Sequence, residues 1–210
     1  MSNHTEIDLS DAKYIDSAKS RYRSQRISHW ATVSRRKQNP KRIGAYYHQL
    51  LHQYFRFLIP PGLRILELGC CHGDLLAALK PSFGVGVDFA FEMVRHASDK
   101  HPRLHFVQAD AHEVAFDGTF DVIILSDLVN DLWDVQHVLT AIQKMTHPKT
   151  RLVINFYNNL WRFPLAVIDR MGLGAEMLEQ NWFSPHDIFN LLELTGFEVV
   201  RRQERTLLPL

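Results

Sequence analysis

The sequence predicts an α/β fold: a doubly wound, mostly parallel sheet with helices on both faces and a helical N-terminal extension. Three observations carry that expectation. From Leu63 onward, short apolar runs alternate with helical stretches, the pattern of strand–helix–strand units feeding one parallel sheet. Val122-Ile123-Ile124-Leu125 is apolar without alternation, as a strand covered on both faces must be. Ile65-Leu66-Glu67-Leu68 runs straight into Gly69-Cys70-Cys71-His72-Gly73-Asp74, a buried strand entering a small-residue turn and then a helix.

Taken in order, residues 1–60 read as a basic helical extension or cap and residues 61–210 as the sheet domain. Within 41–58, Ile43, Tyr46, Tyr47, Leu50, Leu51, Tyr54, Phe55 and Leu58 fall on one face of a helix, which Pro60-Pro61-Gly62 stops. The strands expected are Leu63–Leu68, Phe83–Val87, Leu104–Val107, Phe120–Leu125, Arg151–Tyr157 and Phe197–Arg202. Val135, Val138, Leu139, Ile142 and Met145 make a helical stripe between the fourth and fifth strands. Ser184 and Pro185 have the chemistry of an N-cap and first helical position, Ile188, Leu191 and Leu192 continue that helix, and Gly196 closes it. Residues 158–183, apolar through Trp161, Phe163, Met171 and Trp182 but broken by Gly172 and Gly174, read as a lid or insertion over the strand ends.

Composition narrows the class. A chain of 210 residues with 46% hydrophobic and 22% charged residues is long enough to bury a core. No apolar run approaches the length of a membrane span, and the polar start of the chain does not resemble a secretory signal. The two cysteines, Cys70 and Cys71, are adjacent and poorly placed to bridge, so a reduced, cytoplasmic protein is expected. Net charge +1 hides an asymmetry: residues 1–60 hold eleven Lys/Arg against four Asp/Glu, residues 61–210 thirteen against nineteen. The basic arm either docks on the chain's own acidic body or contacts an anionic substrate or membrane surface. No nucleic acid is expected, because no recognition motif accompanies the basic residues.

The turn after Leu68 allows backbone N–H groups to approach a ligand closely. The second strand, Gly84-Val85-Gly86-Val87, ends in Asp88, where an acid can accept hydrogen bonds from a ribose. A nucleoside-bearing ligand follows from the pair.

These residues resemble class I S-adenosylmethionine-dependent methyltransferases, over roughly Tyr46 to Val200. Glu67-Leu68-Gly69-Cys70-Cys71-His72-Gly73 matches the E-x-G-x-G-x-G motif, Asp88 the ribose-binding acid, and Gln108-Ala109-Asp110-Ala111 the adenine-contacting motif. Phe120 to Ile124 followed by Ser126-Asp127 matches the fourth-strand motif that faces the transferable methyl. More narrowly, Tyr46 to Leu51, Leu132-Trp133-Asp134 and Asn181 to Pro185 look like a bacterial branch associated with glycosyltransferases and polysaccharide biosynthesis.

The resemblance implies a Rossmann-like fold and S-adenosyl-L-methionine as cofactor, with Asp88 on the ribose and Asp110 and Ala111 bracketing the adenine. Gly69, Cys71 and Gly73 would line the methionine side, and Glu67, Phe89 and Ser126 complete the cofactor set. Asp127 and Asp131, after the fourth strand, are the candidate catalytic acids, and Asn130 beside them a candidate substrate contact; capping the following helix is the alternative role for all three. Tyr157, Trp161 and Arg162 follow the fifth strand and are further substrate candidates. The aromatic face of 41–58 reads as core packing, His112 and His137 as surface residues, and the His48/His52 pair as coincidence, so no metal is expected. The acceptor would be a small molecule or a glycan-lipid, methylated on oxygen.

Two features depart from the family pattern. Cys71 replaces the middle glycine of the motif, and the chain stops just after the sixth strand, so the seventh strand is absent and the chain reads as a fragment. Both features keep a non-catalytic partner protein of the same fold as the alternative. A nicotinamide-dependent oxidoreductase is disfavoured, since Gly69 and Gly73 do not make Gly-x-Gly-x-x-Gly.

Overall fold

The computed structural model describes residues 9–35, 43–161, 178 and 180–204. In chain order they form α1 (Leu9–Arg35), α2 (Ile43–Leu58), β1 (Arg64–Leu68), α3 (Asp74–Ala78), β2 (Phe83–Asp88), α4 (Phe91–Lys100), β3 (His105–Gln108), β4 (Val122–Ser126), α5 (Val135–Gln143), β5 (Arg151–Asn155) and α6 (Pro185–Leu194). Short 3-10 turns follow β3 at Ala111–Glu113, β4 at Val129–Asp131 and β5 at Asn159–Trp161.

The sheet has five strands in the order β3-β2-β1-β4-β5. Every pairing is parallel, with Glu67 of β1 opposite Gly86 on one side and Ile124 on the other. The order reverses between β1 and β4, so the crevice beyond their carboxyl ends is where a fold of this kind accepts a ligand.

Alternation along β4 divides the core. Ile123 and Leu125 point to one face, with Leu66, Leu68, Val138, Leu139, Ile142 and Ile188. Val122 and Ile124 point to the other, with Leu51, Phe55 and Ile59 of the α2 region and Leu75, Leu76 and Leu79 around α3. Of the stripe read from 41–58, Leu51 and Phe55 are buried and Tyr47 and Leu58 partly so, while Tyr46 is exposed; α2 thus forms a layer against the sheet.

Helix α6 begins as its sequence requires, with a reciprocal capping box between Ser184 and Asp187 and Pro185 at its first position. It ends at Gly196 (φ 78°), beyond which the Phe197 N–H returns to the Leu192 carbonyl at 2.8 Å.

Two strand expectations need correction. Phe197–Arg202 is not a strand: the Phe197 N–H is committed to the end of α6, Val200 is 91% exposed, and the Arg202 guanidinium lies 5.4 Å from the Phe189 ring, holding the segment along α6. Strand β5 stops at Asn155, two residues before the expected Tyr157, because the Tyr157 N–H bonds the Asn130 side chain at 3.0 Å and leaves the ladder. Asn158 bridges to Phe183, closing the ends of the segment read as a lid; most of that segment, with Arg162, lies outside the described residues. Among the described residues no helix is long and apolar enough to cross a membrane.

Candidate functional site at the sheet switch point

The turn between β1 and α3 is shaped by positions of positive φ. Gly69 and Gly73 adopt φ 72° and 71°, and a Cβ at Gly73 would lie 2.5 Å from the Phe106 ring. Cys71, at the middle position of the motif, also adopts a left-handed φ of 47°, a conformation that costs a non-glycine residue about 1–2 kcal/mol. What holds it is Asp88: one carboxylate oxygen accepts the Cys71 N–H at 3.0 Å and the other the Ala90 N–H at 2.9 Å. Asp88 is buried and clamps the turns after β1 and β2 to each other, and each oxygen keeps a lone pair for a further donor.

Behind this turn Glu67 is almost fully buried and its Oε2 has no hydrogen-bond partner. Burial, with Asp88 and Asp74 nearby, pushes its carboxyl up to about 8 against the Leu76 N–H that opposes the rise. Phe89 follows Asp88 half-buried, its carbonyl accepting from the Gln108 side chain at 3.3 Å.

Asp110 lies after β3, with the buried Ala111 beside it. His112, expected at the surface, is packed inward: its Nε2 accepts the Asp134 N–H at 3.1 Å, which leaves the proton on Nδ1 to donate to Asp110 at 2.6 Å. Arg23 of α1 approaches the other Asp110 oxygen at 3.3 Å. Burial would raise Asp110, but the His112 bonds and the Arg23 charge outweigh it and hold the carboxyl down at about 2. A permanently ionised acceptor at this place fits an exocyclic amine.

Ser126, the last residue of β4, and the three polar residues Asp127, Asn130 and Asp131 beyond it take separate roles. Ser126 pairs with Asn155 at the end of the β4–β5 ladder. Asp127 adopts φ 53° and accepts hydrogen bonds from the Tyr47 hydroxyl at 2.8 and 3.0 Å and from Asn155 Nδ2 at 2.5 Å. Burial lifts its carboxyl to about 6 even though both bonds favour the charged form. The Tyr157 ring stacks on Tyr47 with centroids 5.8 Å apart, and burial beside Asp127 pushes both phenols upward.

Asn130 is fully buried and gives its amide to backbone, donating to the Tyr157 and Asn181 carbonyls and accepting the Tyr157 N–H. It staples the segments after β5 and before α6 to the β4 loop. Asp131 is taken up by α1: Trp30 Nε1 donates to its carboxylate at 3.2 Å, Arg26 lies at 3.5 Å, and its carbonyl accepts from Tyr22 and Arg26 at 3.1 Å. These contacts tie α1 to Asp131, whose Oδ1 is buried without a hydrogen-bond partner and whose carboxyl is raised by burial. The Trp161 side chain and Arg162 lie outside the described residues. Asp134 caps α5 by accepting the His137 N–H at 2.9 Å.

Sequence reasoning did not single out Asn155, Tyr22 or Arg26, and it read the face carrying Tyr47 as core packing rather than as a contact to Asp127. Tyr47 sat in an apolar stripe, where the available signal was its hydroxyl, because a buried tyrosine needs a partner for that group. Among the described residues no group of three or more His, Cys, Asp or Glu is arranged to hold a metal.

The site suits S-adenosylmethionine. Asp88 and Asp110 sit at the ends of β2 and β3 with acceptor capacity for a ribose and an amine, and Glu67 offers an unpartnered oxygen behind the turn.

Comparison with known proteins agrees. The model of a family described as "Methyltransferase domain" matches residues 35–202. A 2-phytyl-1,4-naphtoquinone methyltransferase of Thermosynechococcus vestitus is 30% identical over 68% of this chain and 76% of its own length. A ubiquinone biosynthesis O-methyltransferase of Azorhizobium caulinodans is 32% identical over 66% of this chain, which spans 57% of that relative's length. Among solved structures, the magnesium protoporphyrin IX methyltransferase of Synechocystis with bound SAH superposes with a TM-score of 0.63 at 20% identity, over 89% of this chain and 90% of that one. None of these relatives is described as acting with a glycosyltransferase. With the family model covering most of the chain, this protein belongs to the methyltransferase-domain family and is a class I S-adenosylmethionine-dependent methyltransferase of Rossmann-like fold.

Proposed function

We propose that the enzyme methylates an oxygen of a small acceptor, with Asp127 as the base that takes the acceptor's proton. The observation that carries this reading is the Asp127 carboxylate, buried at the carboxyl end of β4 and raised by that burial to about 6. A base in this range is ionised at neutral pH yet basic enough to accept a proton from a hydroxyl that is losing it to reaction. Bound at the switch point, S-adenosylmethionine supplies a methyl on a sulfonium. Asp88 would hold its ribose, Asp110 and Ala111 its adenine, and the Gly69–Gly73 turn its amino-acid end. Helix α1, pinned at Asp131 and Asp110, lies against the loops that carry these residues and would cover the cofactor.

Proton affinity favours an aryl hydroxyl over an alkyl one. Moving a proton from a phenol of pKa about 10 to a base of about 6 costs about 5 kcal/mol. From a water-like hydroxyl of pKa about 15.7 the same transfer costs about 13 kcal/mol. The name of the ubiquinone biosynthesis O-methyltransferase relative points the same way. The narrower sequence resemblance favours a sugar or glycan-lipid hydroxyl as the second reading. A membrane-associated acceptor of either kind would suit peripheral contact through the basic N-terminal segment.

The test offers labelled S-adenosylmethionine with two acceptor sets, ring hydroxyls (catechols, hydroquinones) and sugars or glycan-lipids. Methylation of the first set, reduced about 100- to 10,000-fold by Asp127→Asn with cofactor affinity unchanged, is the expected result. Methylation of the second set alone would move the acceptor to the sugar class. An Asp127→Asn enzyme as fast as the parent would remove the base.

A further inference from the structure

We propose that Tyr47, on α2, is the positioning residue for the proton-accepting carboxylate: its hydroxyl, shared between both oxygens of Asp127, fixes that side chain in one orientation and in its charged form. The inference rests on Asp127 being the base and adds a residue from α2, far from Asp127 in sequence.

Three observations converge on it. The hydroxyl reaches Asp127 across 80 positions of sequence, at 2.8 Å to one oxygen and 3.0 Å to the other, a geometry that leaves the carboxylate little rotational freedom. Asp127 itself sits at φ 53°, with its N–H donating to the Asn155 carbonyl at 3.2 Å while the Asn155 amide reaches back to its carboxylate. A left-handed aspartate held from both ends is a strained residue that its neighbours over-determine. The Tyr47 ring is in turn stacked on Tyr157, so the donor is also fixed.

A purely structural tie explains this poorly. Helix α2 is already anchored by the buried Leu51 and Phe55, with Ile59 just beyond its end. Adding a buried carboxylate to such an anchor gains little, since burying a charge costs more than one neutral donor returns. A carboxylate kept ionised, oriented and out of bulk water is what a proton acceptor requires.

The test needs no acceptor. In the full-length chain with the Asp127 carboxyl carbon observed by NMR, its titration midpoint is expected to rise by about one unit in Tyr47→Phe, as loss of a charge-assisted donor predicts. Installing 3-fluorotyrosine at position 47, a stronger donor, is expected to lower it, so the two changes have opposite signs. The amide spectrum shows whether each variant keeps its fold. Midpoints that stay put in both folded variants would overturn the assignment. Once an acceptor is in hand, the acid limb of kcat should follow the same two shifts, which a packing role would not produce. If Asp127→Asn leaves methylation intact, the base reading fails and the catalytic role of Tyr47 with it. If Asp127→Asn is inactive but Tyr47→Phe leaves both midpoint and acid limb in place, only the Tyr47 assignment fails.

Discussion

Glu67 is buried with one carboxylate oxygen unpartnered. Burial pushes its carboxyl up to about 8 from the 4.5 of an ordinary glutamate. Between those values folding takes up a proton, so stability at this residue is greatest on the acid side and falls as pH rises. Replacing Glu67 with Gln is therefore expected to flatten the decline in unfolding free energy from pH 5 to pH 8 by a few kcal/mol, read from urea melts across that range. A slope identical to the parent's would place the titrating proton elsewhere. At this scale the motif residues were readable because a turn that admits a ligand must use small side chains. Cys71 was readable as an exception, and the structure adds that its backbone is left-handed and restrained by Asp88. The Tyr47–Asp127 contact was not readable, because an apolar stripe reports only burial and the partners lie on elements far apart in sequence.

Helix α1 was legible only as part of a basic helical extension, without its docking contacts. Its docking depends on spacing: Tyr22, Arg26 and Trp30 recur every four residues, share one face, and converge on Asp131. Arg26 is just 4% exposed there and its guanidinium lies 3.4 Å from the Tyr22 ring centroid. Taking one partner from a buried ion pair costs about 3–5 kcal/mol while the other charge stays buried. In Asp131→Ala that cost is relieved most directly by undocking α1. Trypsin is expected to cut at Arg21, Arg23 and Arg26 at least about tenfold faster in the variant, with the core fragment surviving. Equal cleavage would mean that α1 is held by contacts other than this anchor. The sixth strand failed for a related reason: Phe197–Arg202 has strand-like composition, but pairing depends on where the preceding helix closes and whether the backbone groups are free, and neither is written in composition.

Across the whole molecule, the strand–helix alternation and the apolar centre of β4 were enough to give the sheet, since parallel strands buried on both faces have a distinctive pattern. The charge asymmetry also finds a physical outlet: Arg23 meets Asp110 and Glu113, and Arg26 meets Asp131, so part of the basic extension neutralises acids on the body that follows it. Those contacts bring the first helix to the loops after β3 and β4, beside the acids assigned to the cofactor. The central claim is that Asp88, where the turns after β1 and β2 meet, is the cofactor's ribose anchor. Calorimetric titration of the full chain with S-adenosylmethionine and S-adenosylhomocysteine, repeated with Asp88→Ala, tests it most directly. Micromolar binding (about −8 kcal/mol) that weakens about 100-fold or more in a folded variant is the predicted result, as loss of charge-assisted bonds to two hydroxyls implies. Affinity unchanged by the substitution would contradict the placement of the cofactor and, with it, the site built around the switch point.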